Sequence, residues 1–231
     1  MPDSPRQLPL ELVHEVGRSR DELVVGAANA AAVALIDRWP DWPAPVVVLA
    51  GPAGSGKSHL AEIWRAGSAA ASFRRESLGP PAIEAAGRGP VLVDDADGPG
   101  LDETGLFHLI NAVRASGTQL LLTARRFPAA WNVRLPDLAS RLKAAATVEI
   151  REPDDMLLAG VIAKLFADRQ VEVEPHVVQY LVRRIERSLA TAIGVVDRLD
   201  RAALEQKCRI TRSLAAATLS ALDEGQAAFD L

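Results

Sequence analysis

The stretch Gly51-Pro52-Ala53-Gly54-Ser55-Gly56-Lys57-Ser58 decides the fold, because it has the G-x-x-x-x-G-K-[ST] spacing of a phosphate-binding loop. It directly follows the apolar run of residues 46–50 and leads into a helical stretch that begins at Lys57. Glycines allow such a loop to turn its backbone N–H groups inward around a polyanion, and the positive end of the following helix attracts phosphate. The combination predicts a nucleotide site and disfavours the alternative of a Gly-rich turn that binds nothing.

Lys57 and Ser58 have separate roles in this prediction. The Lys57 ammonium supplies a positive charge near the outer phosphates, and the Ser58 hydroxyl is suited to bind Mg²⁺. We therefore predict ADP or ATP, together with Mg²⁺, as the ligands. The loop residues expected to contact the nucleotide are Gly51, Pro52, Ala53, Gly54, Ser55, Gly56, Lys57 and Ser58.

The apolar run of residues 91–93 ends in two carboxylates, Asp94 and Asp95, which is the form of a Walker B element. We expect Asp94 to hold Mg²⁺ through water and Asp95 to orient the water that attacks the phosphate. An Asp reaches less far than the Glu that is common at the second position in vigorous ATPases, so we expect weak hydrolysis. The alternative is that the two acids only solvate the end of a strand.

Thr123 closes the apolar run of residues 120–122. A polar side chain there faces the γ-phosphate if the ligand binds at the carboxyl ends of parallel strands. β-Propensity alone also explains a Thr at that place. Arg125 and Arg126 follow closely, and their simplest interpretation is a solvated loop.

Short apolar runs alternate with helical stretches between residues 21 and 150, which predicts a parallel sheet flanked by helices. After Pro153 the spacing of apolar residues is helical throughout. The predicted fold class is therefore α/β with a small all-helical domain. The expected strands are residues 46–50, 91–93, 120–123 and 147–150. The expected divisions are an irregular tail, a nucleotide-binding α/β domain and a helical domain, at residues 1–20, 21–150 and 151–231.

Composition disfavours several classes of protein. The chain has 231 residues and a formal net charge of −4, which argues against a dedicated nucleic-acid binder because such domains are usually basic. No apolar run approaches about 18 residues and no signal-peptide pattern is present, so we expect no membrane association. The single Cys208 cannot form an internal disulfide, and we predict a buried thiol in a cytoplasmic protein.

Several segments together resemble the AAA+ module of the bacterial DnaA family of replication initiators. They are residues 23–29, 51–60, 91–95 and 135–142. More narrowly, the chain is similar to Hda, the branch of that family that keeps the AAA+ module and lacks the DNA-binding helix-turn-helix domain. The resemblance implies a P-loop NTPase of AAA+ type with a helical lid. It adds Val25 and His59 to the nucleotide contacts and makes Arg141 an arginine finger that acts on a neighbour's nucleotide.

Gln7, Leu8 and Leu10 in the tail resemble the short Gln-Leu-x-Leu peptide by which Hda and other replication proteins bind the β sliding clamp. Gln7 would make polar contacts, and the two leucines would enter apolar pockets. The partners implied by the resemblance are DnaA and the β sliding clamp, with DNA reached only through the clamp. A homodimer is a further option.

The resemblance implies a cytoplasmic negative regulator of replication initiation that binds adenine nucleotide and stimulates ATP hydrolysis by DnaA in trans. Two other functions stay open: a free-standing, helicase-loader-like ATPase that binds single-stranded DNA, and a module whose nucleotide only orders the fold. Two departures from the family concern nucleotide binding. Arg125 stands where an acidic or amide residue is usual, and Ala190 and Thr191 occupy the place of the lid Arg. Arg187, one helical turn earlier, is the candidate substitute.

Overall fold

The computed structural model describes residue 20 and residues 23–227, with side-chain environments for residue 20 and residues 23–222. The described chain forms two compact units, which divide between Leu157 and Leu158. The predicted boundary after residue 150 lies shortly before this division.

The first unit is built on a parallel sheet, as predicted. Its strands are β1 (Val46–Ala50), β2 (Ala71–Arg74), β3 (Val91–Asp94), β4 (Leu120–Ala124) and β5 (Ala146–Glu149). They lie in the order β2-β3-β4-β1-β5, and every pairing is parallel. All five residues of β1 and of β4 are buried, because the central strands of a parallel sheet are covered on both faces.

Helices cover both faces of the sheet. They are α1 (Ala30–Asp37), α2 (Lys57–Ser68), α3 (Pro80–Ala86), α4 (Glu103–Ser116) and α5 (Pro136–Lys143). Successive residues of β1 face opposite layers: Val46 and Val48 belong to the core that includes α3, α4 and α5, whereas Val47 and Leu49 belong to the core that includes α1 and α2. The sheet thus holds the ends of β1, β3 and β4 side by side at one edge.

The second unit is entirely helical within the described residues. Its helices are the C-terminal part of α6 (Asp155–Asp168), then α7 (Pro175–Val182), α8 (Leu189–Gln206) and α9 (Arg212–Ala227). Their apolar faces meet in one core, to which Phe166, Leu181 and Val196 each contribute a side chain with at most 1% exposure. Pro175 opens α7 and Ser188 caps α8 by accepting a hydrogen bond from the Thr191 amide at 3.2 Å, and both residue types are common at helix starts.

The prediction of a buried Cys208 was wrong, because the thiol-bearing residue is exposed. Helix α8 ends at Gln206, and Lys207 adopts a left-handed conformation with φ of +50°. Cys208 therefore lies past the helix rather than on its buried face. No helix in the described part of the chain is both long and apolar enough to span a bilayer.

Candidate nucleotide site

The phosphate loop connects the end of β1 to the first residue of α2. Gly54 and Gly56 have φ values of +71° and +97°. Residues that carry a Cβ rarely adopt such positive values. At Gly51, a Cβ atom would lie 2.1 Å from the carbonyl oxygen of Ile150. The loop glycines are therefore required by the path of the backbone, and the loop has the curvature that a polyphosphate needs.

Lys57 lies inside this loop with 8% of its surface exposed. Its Nζ donates a hydrogen bond of 2.6 Å to the carbonyl oxygen of Pro52. Burial lowers the pKa of Lys57 below its ordinary value, and the nearby positive charge of Arg125 lowers it further. The negative charges of Asp94, Asp97 and Asp95 only partly offset these two effects on the pKa. A phosphate group bound in the loop would stabilise the ammonium further.

Asp94, Ser58 and Thr123 meet at the carboxyl edge of the sheet. The Ser58 hydroxyl donates to Asp94 Oδ1 at 3.1 Å, and the Thr123 hydroxyl donates to the same oxygen. Ser58 follows β1, whereas Asp94 and Thr123 lie on the neighbouring strands β3 and β4. The two residues predicted to hold Mg²⁺ are thus brought together. A hydroxyl, a carboxylate and the phosphates of a nucleotide suit Mg²⁺, which takes oxygen ligands.

Thr123 fixes the two acids of the Walker B element. Besides donating to Asp94, its hydroxyl accepts a hydrogen bond of 2.8 Å from the Asp95 amide, and its exposure is only 1%. A phosphate accepts hydrogen bonds, and the single hydroxyl proton of Thr123 is already given to Asp94. The contact of Thr123 with the γ-phosphate therefore stays a prediction.

Asp95 is engaged by two arginines. Its carboxylate lies 3.0 Å from Arg75 Nη1 and 3.6 Å from Arg125 Nε, and its backbone has a φ of +52°. No sequence pattern pointed to Arg75, because this residue follows β2, a strand that was not predicted. The oxygens of Asp95 are thus already paired within the chain, and its role in hydrolysis also stays a prediction.

Asp97 is a second residue that sequence reasoning missed. Its side chain is 2% exposed and accepts hydrogen bonds from the backbone amides of Arg125 and Arg126, at 2.8 and 3.1 Å, and from Arg126 Nε at 3.0 Å. Asp97 thus fixes the start of the loop after β4, which is not merely solvated. The third acid in the run Asp94-Asp95-Ala96-Asp97 was the available signal.

The segment before α1 is held beside the phosphate loop. Asn29 accepts a hydrogen bond from the Gly26 amide at 2.8 Å and donates one to the Val24 carbonyl at 3.0 Å. The Ala28 carbonyl accepts a hydrogen bond from the Arg151 amide at 3.0 Å. Arg151 directly follows Ile150, whose carbonyl lies against Gly51. Val25 is 48% exposed in this segment, and its contact with the nucleotide stays a prediction. His59, on the first turn of α2, is partly exposed.

Arg141 lies near the amino-terminal ends of the strands, opposite the end at which the phosphate loop begins. It lines a small cavity with Pro45 and Val46, at the start of β1, whereas the phosphate loop begins where β1 ends, about 16 Å further along the strand. Its guanidinium carbon is 4.9 Å from the centre of the Phe107 ring. Its Nε is buried without a hydrogen-bond partner, and no acid within the described residues pairs with the guanidinium. The chain's own phosphates are therefore out of its reach.

The remaining predicted residues belong elsewhere. Arg187 is exposed and precedes Ser188, the cap of α8, and Ala190 and Thr191 lie in the first turn of that helix. All of them belong to the helical unit. Gln7, Leu8 and Leu10 lie outside the described residues.

Comparison with known proteins finds similarities to both units. Residues 162–219 match the family model described as "Hda, lid domain". Domain III of the replication initiation protein DnaA from Thermotoga maritima aligns with a TM-score of 0.75 at 18% identity, over 88% of this chain and 95% of that domain. AMPPCP-bound DnaA from Aquifex aeolicus aligns with a TM-score of 0.66 at 17% identity, over 78% of this chain and 63% of that chain.

A curated relative also matches part of the sequence. An "Uncharacterized protein" of Haemophilus influenzae is 31% identical over 110 residues, which are 47% of this chain. The match spans 48% of that relative's length. Together, the family model and the structural alignments confirm the predicted resemblance: an AAA+ fold of the DnaA type is followed by an Hda lid domain.

Proposed function

We propose that this chain, in which an Hda lid domain follows a DnaA-type AAA+ fold, is a negative regulator of replication initiation that stimulates ATP hydrolysis by DnaA in trans. The observation that carries the proposal is the environment of Arg141. Its guanidinium rests on Phe107, has no acidic partner among the described residues, and belongs to the edge of the sheet away from the chain's own phosphate loop. Arg141 is partly exposed although its Nε is buried, and we infer that the exposed part of the guanidinium reaches the nucleotide of a second protein.

The chemistry expected of Arg141 is that of an arginine finger. A guanidinium supplied by a partner stabilises the negative charge that develops on the transferred phosphoryl group, and it accelerates hydrolysis by about 10³–10⁵-fold in enzymes that use one. The cation–π contact with Phe107 favours this role because it limits the conformations of a long side chain before a partner is met. DnaA would supply the ATP and the attacking water.

In the same proposal, the chain's own site holds ADP or ATP with Mg²⁺. The amides of residues 51–58 and the Lys57 ammonium would hold the phosphates, and Val25 would contact the base. Ser58 and Asp94 would hold Mg²⁺, whose charge neutralises the phosphate oxygens. The pairing of Asp95 with Arg75 supports weak hydrolysis at this site. The chain would then act mainly as an adaptor rather than as an ATPase.

Contact with the β sliding clamp completes the proposal. Gln7, Leu8 and Leu10 would bind the clamp, so that a DNA-loaded clamp brings this cytoplasmic regulator to DnaA and DNA is reached through the clamp. Mixing the chain with purified clamp is expected to give a complex on a native gel that a Gln7→Ala/Leu8→Ala variant does not form. Sedimentation of the chain alone tests whether it is also a homodimer.

The decisive experiment reconstitutes clamp on DNA with ATP-loaded DnaA and measures phosphate release with and without this chain. The wild-type chain is expected to accelerate release, and Arg141→Ala and Arg141→Lys are expected to abolish the acceleration. Arg114→Ala is the matched control, because Arg114 is exposed and lines the same small cavity as Arg141. No acceleration by the wild type, or full acceleration by Arg141→Ala, contradicts the proposal.

The same measurements identify the alternative of a free-standing ATPase. In that case the chain alone would release phosphate, Lys57→Ala would abolish the release, and binding of single-stranded DNA would weaken steeply as salt is raised.

A further inference from the structure

The helical unit contains two short segments that are far more basic than the rest of the chain. Residues 183–187 include three arginines and one glutamate, and residues 207–212 include Lys207, Arg209 and Arg212 with no acid. The two segments together have a formal charge of +5, although the whole chain has a charge of −4. The positive charge is therefore concentrated in one part of an otherwise acidic chain.

Tyr180 brings the two basic segments together. The guanidinium carbon of Arg184, which follows α7, lies 5.3 Å from the centre of the Tyr180 ring, and that of Arg212, which opens α9, lies 5.0 Å from it. Because both distances end at the same ring, the two charges are no further apart than about 10 Å, the Debye length at 0.1 M salt. They therefore repel each other, and an anion bound beside both would relieve that repulsion.

Two further arginines extend this basic surface along α7. Arg183 comes three residues after Tyr180, which places the two on the same side of the helix. Arg209 lines a groove together with His176, which lies four residues before Tyr180 and so on the same helix face. We call this surface the arginine face, and it consists of Tyr180, Arg183, Arg184, Arg209 and Arg212.

Within residues 20 and 23–222, no acid pairs with the four arginines of this face. All four are exposed, and none takes part in an ion pair or a side-chain hydrogen bond with the described residues. Arg169 of the same unit differs, because it pairs with Asp197 and lies 3.9 Å from Asp200. The charges of the arginine face are thus open to an anion from outside the chain.

We propose that the arginine face binds the phosphate backbone of duplex DNA directly and without reading its sequence. Guanidinium groups are planar and always charged, which suits them to phosphate, and a basic stripe along a helix is the electrostatic footprint of a nucleic-acid contact. Helix α7 has eight residues and extends about 12 Å, a length over which one DNA strand carries about three phosphates. The inference does not rest on the proposed function.

The composition of the arginine face favours a phosphate backbone over an acidic protein surface. Stable protein interfaces have an apolar core, whereas the exposed residues that flank Tyr180 and Arg212 in sequence are polar: Gln179, Thr211 and Ser213. The Tyr180 ring already contacts two guanidinium groups, so it positions charges rather than serving as an apolar anchor. The acidic remainder of the chain repels a polyanion and would confine DNA to this face.

Fluorescence anisotropy of a labelled duplex DNA titrated with the chain alone tests the inference. Binding is expected to weaken as salt is raised from about 50 to about 200 mM, and each arginine that contacts a phosphate contributes about −0.9 to the slope of log affinity against log salt. For Arg184→Ala/Arg212→Ala, we expect a slope that is shallower by about two and an affinity that is about tenfold lower or more.

Arg198→Ala/Arg201→Ala is the matched control. It removes the same charge from two exposed positions of α8 in the same unit. These arginines directly follow Asp197 and Asp200 in sequence, so their charges are offset locally. The slope and the affinity of this variant should stay close to those of the wild type.

Tyr180 is a positioning residue in this inference. Tyr180→Phe keeps the ring and is expected to keep the affinity for duplex DNA. Tyr180→Leu removes both cation–π contacts and should lower the affinity about threefold, with the salt slope unchanged because no charge is lost. Thermal unfolding of each variant verifies the fold. Equal affinities of the Phe and Leu variants would refute the role given to the ring.

Three outcomes would overturn the inference. The first is a salt slope of Arg184→Ala/Arg212→Ala equal to that of the wild type or of the control. The second is tighter binding of single-stranded DNA, because the duplex has the higher charge density. The third is displacement of the duplex by poly-glutamate or by anionic lipid vesicles at equal charge concentration, which would assign the face to an acidic protein or to a membrane.

The measurement also separates this inference from the proposed function. It contains neither DnaA nor clamp and requires no nucleotide. Failure to bind duplex DNA would therefore leave the proposed role of Arg141 standing, and failure of the chain to stimulate DnaA would leave the arginine face standing.

Discussion

Asp95 is the residue whose surroundings depart most from its predicted role. The sequence predicts an acid that orients water, and the described structure surrounds this acid with Arg75 and Arg125. Ser58 and Asp94 were both expected at the Mg²⁺ site, whereas the contacts that Asp97 makes with the backbone after β4 were not predictable from local pattern. They depend on which strand ends lie side by side, and that is decided by the order of strands in the sheet.

Removing Arg75 is expected to raise the chain's own hydrolysis. Without its fixed cation, Asp95 becomes a better acceptor for water, and Arg75→Ala should increase phosphate release by the chain alone by about tenfold, less than the 10²–10⁴ of a well-placed base. Arg74→Ala is the control, because it removes the same charge from an adjacent side chain that is 87% exposed. Unchanged turnover in Arg75→Ala would mean that this pair does not limit hydrolysis.

Lys57 is expected to reduce the stability of the nucleotide-free protein. Its pKa is lowered in the folded state, chiefly by burial, so near neutral pH the folded state bears the full cost of a buried ammonium. That cost declines as pH rises through the lowered pKa toward the ordinary value of 10.5, because the unfolded state then binds more protons than the folded state.

Lys57→Met is the corresponding variant. At pH 7 and without nucleotide, its thermal midpoint should lie above that of the wild type, and the difference should shrink as pH is raised toward 10. Added ADP should raise the midpoint of the wild type only. A lower midpoint for Lys57→Met at pH 7 would contradict this account.

Among the elements, the central strands and the amphipathic helices were predictable. The continuous apolar runs of β1 and β4 correspond to strands that are buried on both faces. Strand β2 was missed because it lies at the edge of the sheet and alternates between partly buried and exposed residues, with Phe73 as its single large apolar side chain. Helix α3 was missed because its buried residues are alanines, which give a weak periodic signal.

Asp97 joins two of these elements, since it follows β3 and binds the segment after β4. Asp97→Ala would leave two backbone amides and the Arg126 guanidinium without their acceptor. We expect the free energy of unfolding to fall by about 3 kcal/mol, measured by urea denaturation. Asp137→Ala, at an exposed position in the first turn of α5, should cost about 0.5 kcal/mol. Equal losses in the two variants would contradict the structural role given to Asp97.

Over the whole molecule, the two compact units have separate cores. Phe166 is 1% exposed in the core of the helical unit, and Phe166→Ala should lower the stability of that unit by about 3–5 kcal/mol. Met156→Ala is the control on the same helix, because Met156 is 84% exposed. Hydrogen exchange should increase across α7 and α8 in Phe166→Ala and remain slow in β1 and β4. A uniform increase over both units would show that they unfold as one.

The ring of Phe107 has a consequence for how strongly a regulator of this kind could act. A free arginine side chain has about 2 kcal/mol of rotamer entropy to lose when it docks, and stacking at 4.9 Å has already restricted Arg141. A leucine in place of Phe107 would keep an apolar side chain at this position but remove the cation–π contact, so the Arg141 guanidinium would adopt more conformations. If Arg141 acts as proposed, a hydrocarbon ring that never touches the partner's ATP would set how strongly the guanidinium acts on it.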